Sequence, residues 1–331
     1  LSRMRAEAFE RYWYGGIMPP WHLRLLAAGY GGATALRRGA YALGWLRRER
    51  LPVPVAVIGN LSVGGTGKTP LTIALVEALR ARGWRPGVAS RGYGGSATAP
   101  MRVEAGTDPS VAGDEPCLIR RSGVPVAIGR DRTAAARLLI DAGEIDVVLA
   151  DDGLQHYRLM RDIDVCVIDG ARRFGNGRLL PAGPLREPLM RLGAIDFRVC
   201  NGGEAQPGEV SMQLAADTAV ALVNPCETQP LASFMQRRVH AVAGIGNPQR
   251  FFDMLATLGI DVVPHAFADH HAFRVDDFDF GDNAPVLMTE KDAIKCVAFA
   301  QQHWFSVPVR AVLPSLFLDA FAARLAAARS R

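Results

Sequence analysis

The chain has 38 lysines and arginines, and only three are lysine: Lys68, Lys291 and Lys295. Arginine fills nearly every other cationic position. A lysine that remains is a candidate for work needing a compact ammonium rather than a planar guanidinium. Lys68 stands in Gly64-Gly65-Thr66-Gly67-Lys68-Thr69, directly after the apolar run Val53-Pro54-Val55-Ala56-Val57-Ile58. A strand feeding a glycine loop that opens a helix is a phosphate cradle. Glycines let backbone N–H groups converge on phosphate oxygens, and the helix N-terminus adds positive potential. Lys68 would reach the β- and γ-phosphates of a nucleoside triphosphate, and the Thr69 hydroxyl would hold Mg²⁺. The full P-loop pattern asks for glycine at position 62, where this chain has Ser62, and partition-type ATPases carry a lysine at position 63, where it has Val63. Triphosphate chemistry is expected, and a partition-type switch acting through a protein partner stands only as the alternative.

Lys291 and Lys295 fall in Thr289-Glu290-Lys291-Asp292-Ala293-Ile294-Lys295, after the apolar Val286-Leu287-Met288. They mark a second candidate site, although Lys295 reads equally well as a survivor on a solvated face.

Carboxylates supply the remaining chemistry. Asp151-Asp152 ends an expected buried strand at 145–150, where a nucleotide-binding sheet places its Mg²⁺ ligands. A helix cap is the rival reading. His156 either faces the same cleft or is a satisfied structural histidine. Transfer of a phosphoryl group to a hydroxyl also needs a proton acceptor. Asp114 in Gly113-Asp114-Glu115-Pro116 is one candidate, and Asp269-His270-His271 is the other. If two domains face each other, Asp114 and His270 could form a dyad across the cleft, since histidine can support a carboxylate base. Arg91 adds a cation in the flexible Ser90-Arg91-Gly92-Tyr93-Gly94-Gly95.

These residues need a frame. Helices are expected at 71–82 and 131–143, and strands at 124–128, 145–150 and 163–169, all buried runs without period-2 alternation. Alternating strands and helices predict a parallel, doubly wound sheet with ligands at strand C-termini. Residues 172–200 read as loop-rich, and 202–208 as a Gly-rich linker. A second α/β unit is expected from 239, with helices at 249–258, 289–300 and 315–328. Gly244-Ile245-Gly246 between strand and helix is a weak signal that a turn would explain as well. The fold class is α/β: a P-loop-type doubly wound, mostly parallel sheet domain over 51–205, a smaller C-terminal α/β domain over 206–331, and an N-terminal arm over 1–50.

The arm carries nine Arg and three Glu, a charge of +6 against +5 for the whole chain, which leaves −1 for the remaining 281 residues. It also holds three of five Trp and four of six Tyr. Its uncharged run at 25–36 is shorter than the ~20 residues a spanning helix requires. Arginines interleaved with Trp and Tyr on a short apolar helix suit a bilayer interface bearing anionic lipid. Packing on its own domain ranks second and nucleic acid third. The five scattered cysteines include no Cys-x-x-Cys pair, so reduced thiols are expected rather than a zinc site or disulfide framework.

Taken in order, the motifs resemble those of the tetraacyldisaccharide 4'-kinase family. The resemblance rests on residues 57–70, Ser90 to Gly95, Gly113-Asp114-Glu115-Pro116 and Asp151-Asp152-Gly153-Leu154-Gln155-His156. It continues through Arg173-Phe174-Gly175-Asn176-Gly177, then Leu180-Pro181-Ala182-Gly183-Pro184-Leu185-Arg186-Glu187, Phe267-Ala268-Asp269-His270-His271 and Met288-Thr289-Glu290-Lys291-Asp292. It spans roughly residues 10–300 and includes the unusual Ser62.

The resemblance implies ATP-dependent phosphorylation, with Mg²⁺, of the 4'-hydroxyl of a tetraacylated glucosamine disaccharide 1-phosphate. It implies a peripheral enzyme at the cytoplasmic face of the inner membrane, binding nucleotide between two α/β domains. In such enzymes the Gly-Asp-Glu-Pro aspartate pairs with a C-terminal histidine as base, which maps to Asp114 with His270 or His271. Arg91, His156, Asn176, Arg186, Glu187, His271 and Lys291 are the candidates on the acceptor side. A lipid substrate accounts for the basic aromatic arm, and neither nucleic acid nor an obligatory protein partner is inferred.

Overall fold

The computed structural model describes residues 9–329. The first eight residues of the arm, with Arg3 and Arg5, lie outside the described residues. Two sheets organise the rest. The first has nine strands: β1 (Val55–Gly59), β2 (Pro86–Ser90), β3 (Met101–Val103), β4 (Val126–Ile128), β5 (Val147–Asp151), β6 (Ile163–Asp169), β7 (Phe197–Asn201), β8 (Glu209–Ala215) and β15 (Arg310–Val312). Their spatial order is β15-β8-β7-β6-β1-β5-β2-β4-β3, parallel except for the antiparallel edges β3 and β15. The second sheet has six strands in the order β10-β9-β14-β13-β11-β12. They are β9 (Thr218–Ala221), β10 (Thr228–Pro230), β11 (Arg238–Ala243), β12 (Asp261–Ala266), β13 (Val286–Thr289) and β14 (Trp304–Val307).

The continuous apolar runs follow from a sheet covered on both faces. Along β1, Ala56 and Ile58 join one core with Leu71, Leu75 and Leu79, while Val55 and Val57 join the opposite core with Leu139 and Leu154. The first core lies under helix α2 (Lys68–Arg80) and the C-terminal helix α8 (Ser315–Arg329), which contributes Phe317, Phe321 and Leu325. Helix α5 (Arg132–Asp141), capped by the Asp131 carboxylate on the Thr133 N–H, covers the second. The β1 C-terminus lies between β5 and β6, so the glycine loop and Asp151-Asp152 emerge side by side.

Three sequence expectations change. The loop-rich reading of 172–200 misses β7, a buried strand of the first sheet. The chain passes to the second sheet after β8, not at 205, and returns at 310. Strand β15 and helix α8 therefore belong to the first sheet, although their sequence follows the second. The arm holds a 22-residue helix, α1 (Trp21–Ala42), longer than its uncharged run implies. Among the described residues no helix is long and apolar enough to cross a membrane. Helix α1 leaves Trp21, Leu25 and Leu36 exposed, followed by Leu43 and Trp45. Spacings of four, eleven and seven put Trp21, Leu25, Leu36 and Leu43 on one face.

Candidate active site

The glycine loop bends from β1 into α2, and Gly67 caps the helix in a left-handed conformation (φ 92°) that L side chains rarely adopt. Lys68 and Thr69 open the helix and are both buried. Lys68 Nζ lies 3.4 Å from Asn60 Oδ1 and 3.6 Å from Asp152 Oδ1. The Thr66 Oγ1 is buried without a hydrogen-bond partner among the described residues, a donor free for a ligand oxygen.

The two adjacent aspartates differ sharply. Asp151 is fully buried, and its oxygens accept from Thr72 Oγ1 (3.4 Å) and Ser90 Oγ (3.3 Å). Burial, reinforced by Glu115, pushes its carboxyl up to about 7. Burial acts on Asp152 too, but the charges of Lys68 and Arg186 outweigh it and hold this carboxyl down at about 2. Arg186 Nη1 donates to both Asp152 oxygens at 2.9 and 3.1 Å. Burial thus pushes one carboxyl up while Lys68 and Arg186 hold its neighbour down.

Opposite the loop, the second sheet contributes the residues after β12 and the start of α7 (Glu290–Cys296). His270 Nδ1 lies 3.1 Å from Asp114 Oδ2, the first residue of α4 (Asp114–Arg121). Lys295 Nζ is 3.7 Å from the same oxygen, and the Tyr93 ring stands 5.0 Å from the His270 ring. Burial raises the Asp114 carboxyl, but the His270 hydrogen bond, Lys295 and Lys291 together leave it below its ordinary value. Lys291 Nζ sits between Asp269 Oδ1 (3.0 Å), Glu115 Oε1 (3.4 Å) and His270 Nε2 (3.5 Å). His271 faces the other way, its Nε2 2.9 Å from Asp277 Oδ2. The sequence left His270 and His271 open as partners of Asp114; the backbone turns His270 to it.

A cleft of ≈ 530 Å³ runs between the two sheets, lined on one side by the glycine loop, Lys68, Thr69, Arg91, Tyr93, Asp152 and Arg186. Its other side carries Gly246, Asn247, Arg250, His270 and Lys291. An apolar end is formed by Ile73, Leu214, Phe251, Met254 and Val307. The weak Gly244-x-Gly246 signal proves to be a cross-cleft contact: a Cβ on Gly246 would lie 2.4 Å from Gly65 N, so only glycine permits this approach. Arg172 Nη1 donates to the Gly246 carbonyl (2.8 Å), and Arg250 pairs with Asp169 (2.9 Å), joining the two bodies on that side.

Several sequence candidates do not line the cleft. His156 lies behind it near Asp131, and burial with the charge of Arg132 pushes its imidazole down to about 4, so it is neutral at pH 7. Asn176 clamps loops, donating to the Tyr12 and Ala182 carbonyls. Glu187 is buried, holding Gln155 and Tyr157. Asp151 also sits behind the wall that Asp152 lines. The sequence reading missed Asn201 and Arg250 on the wall and the buried Arg132, whose Nη2 donates to the Asp152 carbonyl (3.2 Å). Asn201 was legible in principle as the polar end of an apolar run, the position where α/β sheets put ligand-side groups.

Comparison with known proteins agrees with this geometry. The family model for tetraacyldisaccharide-1-P 4'-kinase matches residues 19–326. Tetraacyldisaccharide 4'-kinase of Stenotrophomonas maltophilia (strain R551-3) is 56% identical over 325 residues, covering 95% of each chain. That of Xanthomonas euvesicatoria pv. vesicatoria (strain 85-10) is 53% identical over 334 residues, covering 97% of this chain and 96% of the relative. In structure, the chain is similar to the "apo" form of LpxK from Aquifex aeolicus in complex with ATP, with a TM-score of 0.76 at 29% identity, covering 92% of this chain and 98% of that one. The matched relatives are kinases, and nothing in the comparisons favours a partner-switch ATPase. With a glycine loop and an acid–histidine pair on one cleft, the family model and these relatives over nearly the whole length show that the chain belongs to the tetraacyldisaccharide 4'-kinase family.

Proposed function

We propose that the protein transfers the γ-phosphoryl group of ATP to the 4'-hydroxyl of a tetraacylated glucosamine disaccharide 1-phosphate, giving the 4'-phosphorylated lipid. The observation that carries this reading is that Lys68 and His270 line one cleft from opposite bodies, with Asp114 hydrogen-bonded behind His270. The glycine loop and Lys68 hold the phosphates, and the apolar end of the cleft accepts the base. The Asp114–His270 pair takes the proton of the attacking hydroxyl. Asp114 is ionised at neutral pH and can hold an imidazolium formed beside it. Arg91 and Lys291 on the wall are placed to steady anionic groups of nucleotide or acceptor.

The donor set fits a magnesium ion. Thr69 and Asp152 are hard oxygen donors on the same rim, with Asp151 behind them to support the site. When bound there, the ion would offset the charge of the phosphate oxygens. Helix α1 presents its apolar stripe and flanking arginines to the cytoplasmic face of the inner membrane, where such a lipid lies.

The test is mass spectrometry of a detergent-dispersed tetraacyl disaccharide 1-phosphate incubated with protein, ATP and Mg²⁺. Gain of one phosphate on the lipid is expected. ATP hydrolysis with an unmodified lipid would overturn the reading.

A further inference from the structure

We propose that Asn201 is a positioning residue for the phosphate loop: its side-chain amide locks the Thr66 carbonyl outward so that the loop's N–H groups face the nucleotide. The inference rests on the function proposed above. Asn201 ends β7 and is buried, yet it lines the cleft. Its Nδ2 donates to the Thr66 carbonyl at 2.9 Å. A cradle works only if consecutive peptide units turn their N–H groups inward, and a carbonyl turned inward would repel phosphate. The left-handed Gly67 is the point where the peptide plane between Thr66 and Gly67 is set. Asn201 meets this unit from two sides: it bonds the Thr66 carbonyl, and its Nδ2 would lie 2.2 Å from a Cβ at Gly67. Glycine is thus required there both for its φ and for the amide packed against it.

The support is itself fixed. The Asn201 carbonyl accepts from Gly170 N (3.0 Å) and from Arg250 Nη2 (3.4 Å), and Arg250 belongs to the opposite body. Asn201 therefore stands where a contact from the second sheet meets the phosphate loop.

The experiment uses the full-length protein with ATP, Mg²⁺ and the dispersed acyl disaccharide phosphate, plus calorimetric titration of ATP. Asn201→Ala loses the donor, and the KM for ATP should rise about 3- to 10-fold, the worth of a buried hydrogen bond. Asn201→Asp keeps the shape but sets a carboxylate oxygen against the Thr66 carbonyl and adds a negative charge near the phosphates. It should raise the KM for ATP further, by more than about 10-fold, with the excess shrinking at high salt. The KM for the lipid should stay close to the parent in both variants, and each should still melt cooperatively. Unchanged ATP affinity in either folded variant overturns the proposal, as does a melting shift without a KM shift. If Asn201→Asp fails to fold, Asn201→Ala decides alone. A parent enzyme that does not modify the lipid sinks the functional reading instead, and calorimetric ATP affinities still judge Asn201.

Discussion

His270 Nδ1 and Asp114 Oδ2 stand 3.1 Å apart, although they are 156 positions apart in the sequence and belong to the bodies of two separate sheets. The contact exists only while the two bodies face each other. Lys291, bonded at once to Asp269 of its own body and Glu115 of the other, strengthens the same side.

If this pair works as one unit, its members are not additive. His270→Ala should lower kcat by about 10²-fold or more with ATP binding retained, and Asp114→Ala somewhat less. The double variant should be no slower than His270→Ala. His271→Ala, whose imidazole faces Asp277, should leave kcat within about 3-fold of the parent. Steady-state rates on the acyl disaccharide check all four, and costs that add would assign the two groups separate work.

The Asp114 carboxyl sits below its ordinary value of 3.8 in the folded chain. A depressed carboxylate stabilises the fold above its unfolded pKa, and that contribution disappears as pH falls through the folded value. The stability lost in Asp114→Asn should therefore shrink as pH falls below about 4. Urea unfolding of parent and variant at several pH values measures this. A difference that instead grows below about pH 4 contradicts the sign.

Lys68→Ala should cost about 10²-fold or more in kcat with the fold intact. Lys68→Arg should recover little, because the ammonium occupies a buried slot between Asn60 and Asp152 that a planar guanidinium does not match. Rates and circular dichroism melts together test this. Near-parental turnover by the arginine variant would show that the slot is not specific.

The two neighbouring aspartates should separate experimentally. Asp152→Asn should raise the Mg²⁺ needed for half-maximal rate, since Asp152 alone of the two lines the cleft. Asp151→Ala should lose about 1–3 kcal/mol of stability as well, because it strands the Thr72 and Ser90 hydroxyls in the core. Equal Mg²⁺ responses with no stability loss in Asp151→Ala would contradict this division.

Deleting residues 1–36 is a poor probe of the membrane surface. Asn176 donates to the Tyr12 carbonyl and Tyr30 Oη to the Arg186 carbonyl, so truncation would disturb the loop that holds Asp152. Trp21→Ser with Leu25→Ser changes side chains that are 74% and 66% exposed. The double variant should bind anionic vesicles about 10-fold more weakly or worse, with ATP affinity unchanged. Unaltered sedimentation with vesicles would place the anchor elsewhere.

The strand–glycine loop–helix shape around Lys68 was legible because it is local: a buried strand, glycines and Lys68-Thr69 are contiguous, and the physics that shapes them acts over about ten residues. Asp151-Asp152 was legible for the same reason, since strand ends in a parallel sheet are where ligands meet side chains. The sequence also singled out Asp114 and the two adjacent histidines by residue type. It did not say which histidine would turn inward, because His270 adopts a positive φ (61°) that no local pattern announces. Nor did it separate the two aspartates: burial and the neighbours Lys68, Arg186 and Glu115 arrive from distant segments and set their charges in opposite directions. The placing of β8, β15 and α8 on the first sheet, and the support of Thr66 by Asn201, are likewise long-range pairings. Spacing fixes local backbone shape, whereas desolvation and charge coupling depend on which segments pack together, and that only the tertiary structure decides.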